Sequence, residues 1–295
     1  MINSSAVREE LQNELSTFIN NLTDHRQRDY MRFIFCGEDK LPNWGSLARG
    51  SLLLLLSGGR NGSLRLARAA EMIHHASLIV DDQIDKAHTR RGRPSFWIKY
   101  SPEECVLFSH MMVAMAINDL ASFDLNFATT SHAHMSALKT IRMMVDAELE
   151  IRQTPFDSLE TYMSHASRKT GALYRLVGQL AGLIPTTIIL YQDQCLSGLE
   201  MVGVMHQMLD DFLDSDPTLR RNSLFVSADA ERENRERSVY RLLKHGLTLG
   251  QLREFHSQYS RQAIQILEQS LRNGPEKEAI MSLCEEICLE YLVSI

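Results

Sequence analysis

The sequence predicts an all-α fold, and three observations predict it. Apolar residues recur at steps of three and four almost throughout the chain. Runs of alternating apolar and polar residues with β-branched enrichment are scarce. Glycine and proline number only 15 and 7 in 295 residues, and the prolines fall mainly between the periodic segments.

The elements follow in order. Val7, Leu11, Leu15, Phe18, Ile19 and Leu22 give an amphipathic first helix, with Ser4 or Ser5 as its cap and Glu9 and Glu10 in its early turns. A second helix over about 44–56 stops at Ser57-Gly58-Gly59. A third, over 63–86, is long and has no internal glycine or proline. Further helices are expected over 103–122, 132–152, 157–183, 193–214, 227–244, 248–272 and 275–293, with Pro102, Pro155, Pro185, Pro217 and Pro275 as breakers. No repeat and no Gly/Ser/Pro-rich linker divides the chain, so residues 1–295 read as a single domain.

Composition narrows the class of function. With 44% apolar residues the chain can build a large core and is not disordered. Its formal charge of 31 − 37 = −6 argues against nonspecific nucleic-acid binding as its main role, which needs a basic face. The cysteines, Cys36, Cys105, Cys195, Cys284 and Cys288, are odd in number and scattered. They read as reduced core thiols, which places the protein in the cytoplasm. The first residues have no basic stretch leading into an apolar one, so no secretory signal is expected. Nor is a transmembrane segment: the apolar run Leu52 to Leu56 is too short, and Arg175, Gln179 and Pro185 interrupt the next candidate.

One pattern occurs twice. Asp81-Asp82-Gln83-Ile84-Asp85 and Asp210-Asp211-Phe212-Leu213-Asp214 each lie near the C-terminal end of a helical stretch. The first and last carboxylates of each are four apart and project from one helix face. Three carboxylates beside the negative end of a helix dipole repel one another and call for cations. Oxygen-only ligands select hard ions such as Mg²⁺, which completes its shell with water and phosphate oxygens. Arg90-Arg91-Gly92-Arg93-Pro94 follows the first triplet, Arg220-Arg221 follows the second, and Lys169-Thr170 lies between them. Carboxylates next to cations suggest a metal-bridged diphosphate; plain Asp–Arg ion pairs without metal are the alternative.

These residues resemble the trans-isoprenyl diphosphate synthases, the family of farnesyl, geranylgeranyl and longer polyprenyl diphosphate synthases. Its first motif, DDxxD-x4-RRG-x-P, is matched by Asp81, Asp82, Asp85, Arg90, Arg91, Gly92 and Pro94. Its second, FQxxDDxxD, is matched from Gln207 to Asp214, with His206 in place of phenylalanine. The family's Lys-Thr pair stands as Lys169-Thr170, and its GKxxRG appears as Gly45-Ser46-Leu47-Ala48-Arg49-Gly50, with serine replacing lysine. These anchors run from Gly45 to about Ser223, most of the chain.

The resemblance implies long, mostly antiparallel helices around a central apolar cavity, with the triplets facing each other across its mouth. It implies a homodimer and three Mg²⁺ ions on the triplets Asp81, Asp82, Asp85, Asp210, Asp211 and Asp214. It makes Asp81, Asp85, Lys169 and Asp210 catalytic. Arg90, Lys169, Thr170, Gln207 and Arg221 would hold an allylic diphosphate, and Arg49, His74 and Arg91 isopentenyl diphosphate. The residues five and four before Asp81, which floor the product chain in this family, are Ala76 and Ser77, both small; with Met112 deeper, they point to a product longer than farnesyl, C20 favoured. Ser46 and a shortened segment from Asp214 to Ser223 thin the isopentenyl side and leave the ionising side whole. Condensation of isopentenyl diphosphate is therefore the first reading. Cyclisation, or prenyl transfer to another acceptor, is the second. A noncatalytic synthase subunit is the third and weakest, since it has no need of six costly aspartates.

Overall fold

In the computed structural model the described residues are 4–36, 47–58, 63–90, 93–121, 127–215 and 238–288. They form helices α1 (Ser4–Asn21), α2 (His25–Phe35), α3 (Ala48–Leu56), α4 (Ser63–Ile84), α5 (Phe96–Lys99), α6 (Pro102–Ala121), α7 (Phe127–Gln153), α8 (Leu159–Ala166), α9 (Ala172–Gly182), α10 (Gln192–Ser215), α11 (Leu249–Ser270) and α12 (Pro275–Cys288). A two-residue ribbon, β1 (Thr89–Arg90) against β2 (Arg93–Pro94), is antiparallel, with Arg90 opposite Arg93.

The predicted all-α class holds, with local differences that have physical reasons. α1 buries Val7, Leu11, Leu15 and Ile19, the stripe its spacing predicts. α2 was not expected, because its buried residues Tyr30, Met31, Phe33, Ile34 and Phe35 crowd one end instead of recurring along it. What starts it is Asp24, whose carboxylate accepts the backbone N–H of Arg26 at 2.8 Å and of Gln27 at 3.1 Å. The helix expected over 157–183 is broken by a π-turn at Ser167–Gly171 between α8 and α9. The helix expected over 227–244 falls outside the described residues up to 237, and Val239–His245 is a 3₁₀ helix.

α3 lies at the centre and is buried along its whole length, including Arg49 and the leucines 52–56. α4 packs along α6 and also meets α3 and α9; α10 packs against α9, α11 and α12. One apolar cluster runs from Val7 in α1 to Cys288 in α12. A buried ion pair pins the α4–α6 contact: Arg68 donates to both oxygens of Asp119 at 2.7 and 2.6 Å, and also binds Glu14 of α1. Among the described residues α6 alone is long and apolar enough to cross a bilayer, but its Cys105, Phe108, Met112 and Ala116 are buried in the protein.

Candidate active site

The first triplet sits where α4 ends. Lys86 adopts a left-handed conformation, φ 53°. Its N–H reaches the Gln83 carbonyl at 3.3 Å, and the Ala87 N–H reaches that of Asp82 at 2.8 Å. That pair of bonds closes the helix and turns the chain sharply into the β1–β2 ribbon. The ribbon brings Arg90 back onto Asp82. Its Nε lies 2.8 Å from both carboxylate oxygens and its Nη2 2.7 Å from Oδ1. Asp82 is 2% exposed, so this charge is buried and needs its partner. Beside the pair lies a cavity of about 50 Å³, lined by His75, Leu78, Ile79, Arg93 and Phe96 among others.

Asp81 and Asp85 meet cations from other elements. Lys169 Nζ, in the π-turn, lies 3.6 Å from Asp81 and 2.8 Å from Glu148 of α7. Arg152, one turn after Glu148, lies 3.2 Å from it and 3.9 Å from Asp85. Burial disfavours the Lys169 ammonium, but Asp81, Glu148 and Asp85 outweigh it and hold the group protonated above its ordinary range. Burial likewise opposes the Glu148 charge, and Lys169 and Arg152 overcome it to keep that carboxyl below its usual range.

Thr170 faces the second triplet. Its hydroxyl donates to Gln207 Oε1 at 2.5 Å, and Gln207 Nε2 donates to Asp211 Oδ1 at 3.0 Å. The close approach depends on glycine: a Cβ on Gly203 would stand 2.7 Å from Gly171 Cα and 2.8 Å from Tyr174 Cδ2. Without side chains at that crossing, α10 lies directly on the π-turn. Two consecutive residues thus touch the two triplet-bearing helices, Lys169 on α4 and Thr170 on α10.

The middle aspartates, Asp82 and Asp211, are each held by partners from the protein itself. Asp211 accepts from Tyr162 at 2.8 Å and from the Val239 N–H at 2.9 Å, as well as from Gln207. Burial raises its carboxyl to about 6 against the pull of these bonds. Asp82 is held by Arg90 in an Asp–Arg ion pair, as Asp85 is approached by Arg152. Asp81, Asp85 and Asp210 are three of the four triplet ends. Their all-oxygen donor set suits a hard divalent cation. Among the described residues no three carboxylate, imidazole or thiol side chains converge as a ready metal site. Asp214 is in the last turn of α10, and its side chain, like Arg91, Arg221 and Ser46 altogether, lies outside the described residues.

On the opposite flank Arg49 of α3 is 5% exposed. Its Nη1 donates to His74 Nε2 at 3.0 Å, its guanidinium lies 4.8 Å from the centre of the Tyr174 ring, and its Nε has no partner. Among the described residues no carboxylate pairs with it. A buried guanidinium with an orphan N–H calls for an anion. Ala76 is buried, the Ser77 hydroxyl donates to the His74 carbonyl at 2.7 Å, and Met112 is buried in α6.

The sequence reading missed Glu148, Arg152, Tyr162 and Tyr174. Glu148 and Arg152 stand four apart in a long helix, a spacing that reads as a solvated ion pair until the fold brings α7 to the π-turn. The tyrosines carry no local signal.

Comparison with known proteins gives the family and the fold. Residues 48–220 match the family model described as polyprenyl synthetase. Heptaprenyl diphosphate synthase component 2 of Bacillus subtilis is 25% identical over 223 residues, covering 75% of this chain and 63% of that protein. Hexaprenyl pyrophosphate synthase of Saccharolobus solfataricus is 26% identical over 174 residues, 58% of each. The chain thus spans less than two thirds of the length of these relatives. The crystal structure of geranylgeranyl pyrophosphate synthetase from Pyrococcus horikoshii superposes with a TM-score of 0.77 at 19% identity, covering 97% of this chain and 98% of that one.

Proposed function

The chain belongs to the polyprenyl synthetase family, and from that premise we propose that it condenses isopentenyl diphosphate with an allylic diphosphate, in a Mg²⁺-dependent reaction, to give a longer prenyl diphosphate. The observation that carries this reading is the placement of Lys169 and Thr170 against Asp81 and Gln207, between the two triplets. An allylic diphosphate seated there has Lys169 and Thr170 as charge-assisted donors, with Gln207 beside them. Asp81, Asp85 and Asp210 would hold the Mg²⁺ ions, which when bound stabilise the negative charge of the departing diphosphate. In this step the allylic C–O bond breaks and its electron pair leaves with the diphosphate. The isopentenyl double bond then attacks the allylic cation, and a proton leaves to restore a double bond. Arg49 supplies the buried positive charge for the isopentenyl diphosphate, and His74, accepting from Arg49, fixes the guanidinium.

For the product we propose C20, from the small Ala76 and Ser77; the family's named members make C20 to C50 chains, so its membership alone does not select a length. The protein is proposed to act in the cytoplasm as a homodimer, through the exposed apolar side chains Val106 and Leu107 of α6 and Met135, Leu138, Val145 and Leu149 of α7. A second reading, transfer of the prenyl group to another acceptor, draws on Ser46, which stands where the family pattern has lysine. Product analysis separates them. Incubation with labelled isopentenyl diphosphate, Mg²⁺ and dimethylallyl, geranyl or farnesyl diphosphate should give labelled C20 diphosphate. Hydrocarbon or another prenylated product formed without isopentenyl diphosphate would favour the second reading.

A further inference from the structure

Position 206 is where the second motif departs from the family pattern, and the side chain there makes contacts that a phenyl ring has no atoms for. His206 Nδ1 lies 2.9 Å from the Tyr174 hydroxyl, with the two rings at 87°, and Nε2 lies 3.8 Å from Asp210 Oδ2. Burial raises the Tyr174 phenol far above its ordinary range, so the O–H remains a donor. Nδ1 and the Tyr174 hydroxyl thus share one hydrogen bond, and Nε2 faces Asp210. The Tyr174 ring is also the platform for the Arg49 guanidinium. An unbroken line of contacts therefore runs from Arg49 on α3 through Tyr174 on α9 and His206 to Asp210 on α10.

We infer that His206 is a positioning residue serving both halves of the site: it holds the Tyr174 ring beneath Arg49, and its other nitrogen steadies Asp210, one of the carboxylates that would hold a cation. The assignment rests on the proposed function for the identity of the two ligands. The chain's own geometry supplies the link between them. Replacing His206 by phenylalanine keeps the volume and removes both polar contacts. Asparagine keeps a polar atom near the position of Nδ1, in reach of Tyr174, and loses the reach to Asp210.

The test compares His206→Phe, His206→Asn and Tyr174→Phe with the unaltered protein, after thermal melting has verified that each is folded. Two quantities are read: the calorimetric Kd for isopentenyl diphosphate without metal, and the Mg²⁺ concentration giving half of kcat. His206→Phe should weaken each by about fivefold, the worth of one hydrogen bond. Tyr174→Phe should weaken the first alone. His206→Asn should restore the first and leave the second weak, a split that a merely structural role would not produce. Values within twofold of the unaltered protein for His206→Phe, or equal shifts of both quantities in His206→Phe and His206→Asn, would overturn the assignment. An unaltered protein that binds inorganic pyrophosphate but not isopentenyl diphosphate would defeat the functional reading alone; the same comparison is then made with pyrophosphate.

Discussion

Single side chains explain how an acidic helix end is tolerated. Lys86 ends α4 in a left-handed conformation that costs an L-residue about 1–2 kcal/mol. The turn it makes returns Arg90 to Asp82, so the strain is offset at the site it serves. Lys86→Gly should therefore stabilise the protein by about 0.5–1 kcal/mol in urea unfolding, the strain relieved less the added flexibility of the unfolded chain. His165 of α8 makes a second prediction. Burial, with Lys169 adding to it, lowers its pKa from 6.5 to about 4, so it is folded in neutral form. Its contribution to stability is complete above the unfolded value and is lost as pH falls toward 4. The loss amounts to about 3 kcal/mol at most. His165→Gln should flatten the fall in Tm between pH 6.5 and 4; an unchanged slope would assign the acid sensitivity elsewhere. The motif aspartates were legible because their spacing makes a pattern, and the roles of Lys169 and Arg49 because their surroundings resemble the family's motifs. The surroundings of each middle aspartate were not, because the ion pair of Asp82 with Arg90 and the hydrogen bonds of Asp211 with Tyr162, Gln207 and Val239 are made only in the folded chain.

At the scale of elements, the long helices were legible where one apolar stripe runs their whole length, as in α1, or where a long run lacks glycine and proline, as in α4. The reading failed where tertiary contact sets the structure. α2 depends on its Asp24 cap and a crowded aromatic end, and the π-turn depends on the Gly171–Gly203 crossing. A π-turn inserts one residue into the helical repeat, which is how adjacent Lys169 and Thr170 come to serve different helices. The α4–α6 pairing rests on a buried charge pair as well as on apolar area. Asp119→Ala should cost about 3–5 kcal/mol by leaving Arg68 buried with only Glu14. Replacing both members by apolar residues, Arg68→Met with Asp119→Leu, should recover most of that loss in urea unfolding.

For the whole molecule, the overall charge carries little information and its distribution carries much. The two triplets sit on α4 and α10, and the segment between α8 and α9 supplies the cation and hydroxyl that join them. The exposed apolar side chains of α6 and α7 lie on different helices from the triplets. Leu107→Glu with Leu138→Glu should turn a dimer into a monomer by analytical ultracentrifugation if a second copy covers that face; an unchanged dimer would move the interface elsewhere. The central claim is that one site ionises an allylic diphosphate and passes the cation to isopentenyl diphosphate. It is tested most directly by counting pyrophosphate released against labelled isopentenyl units incorporated, with Mg²⁺ and after chelation. The account predicts one pyrophosphate for each unit added, with both lost on chelation and both restored by Mg²⁺. Pyrophosphate release with no label in a longer diphosphate, for any allylic primer, would contradict it.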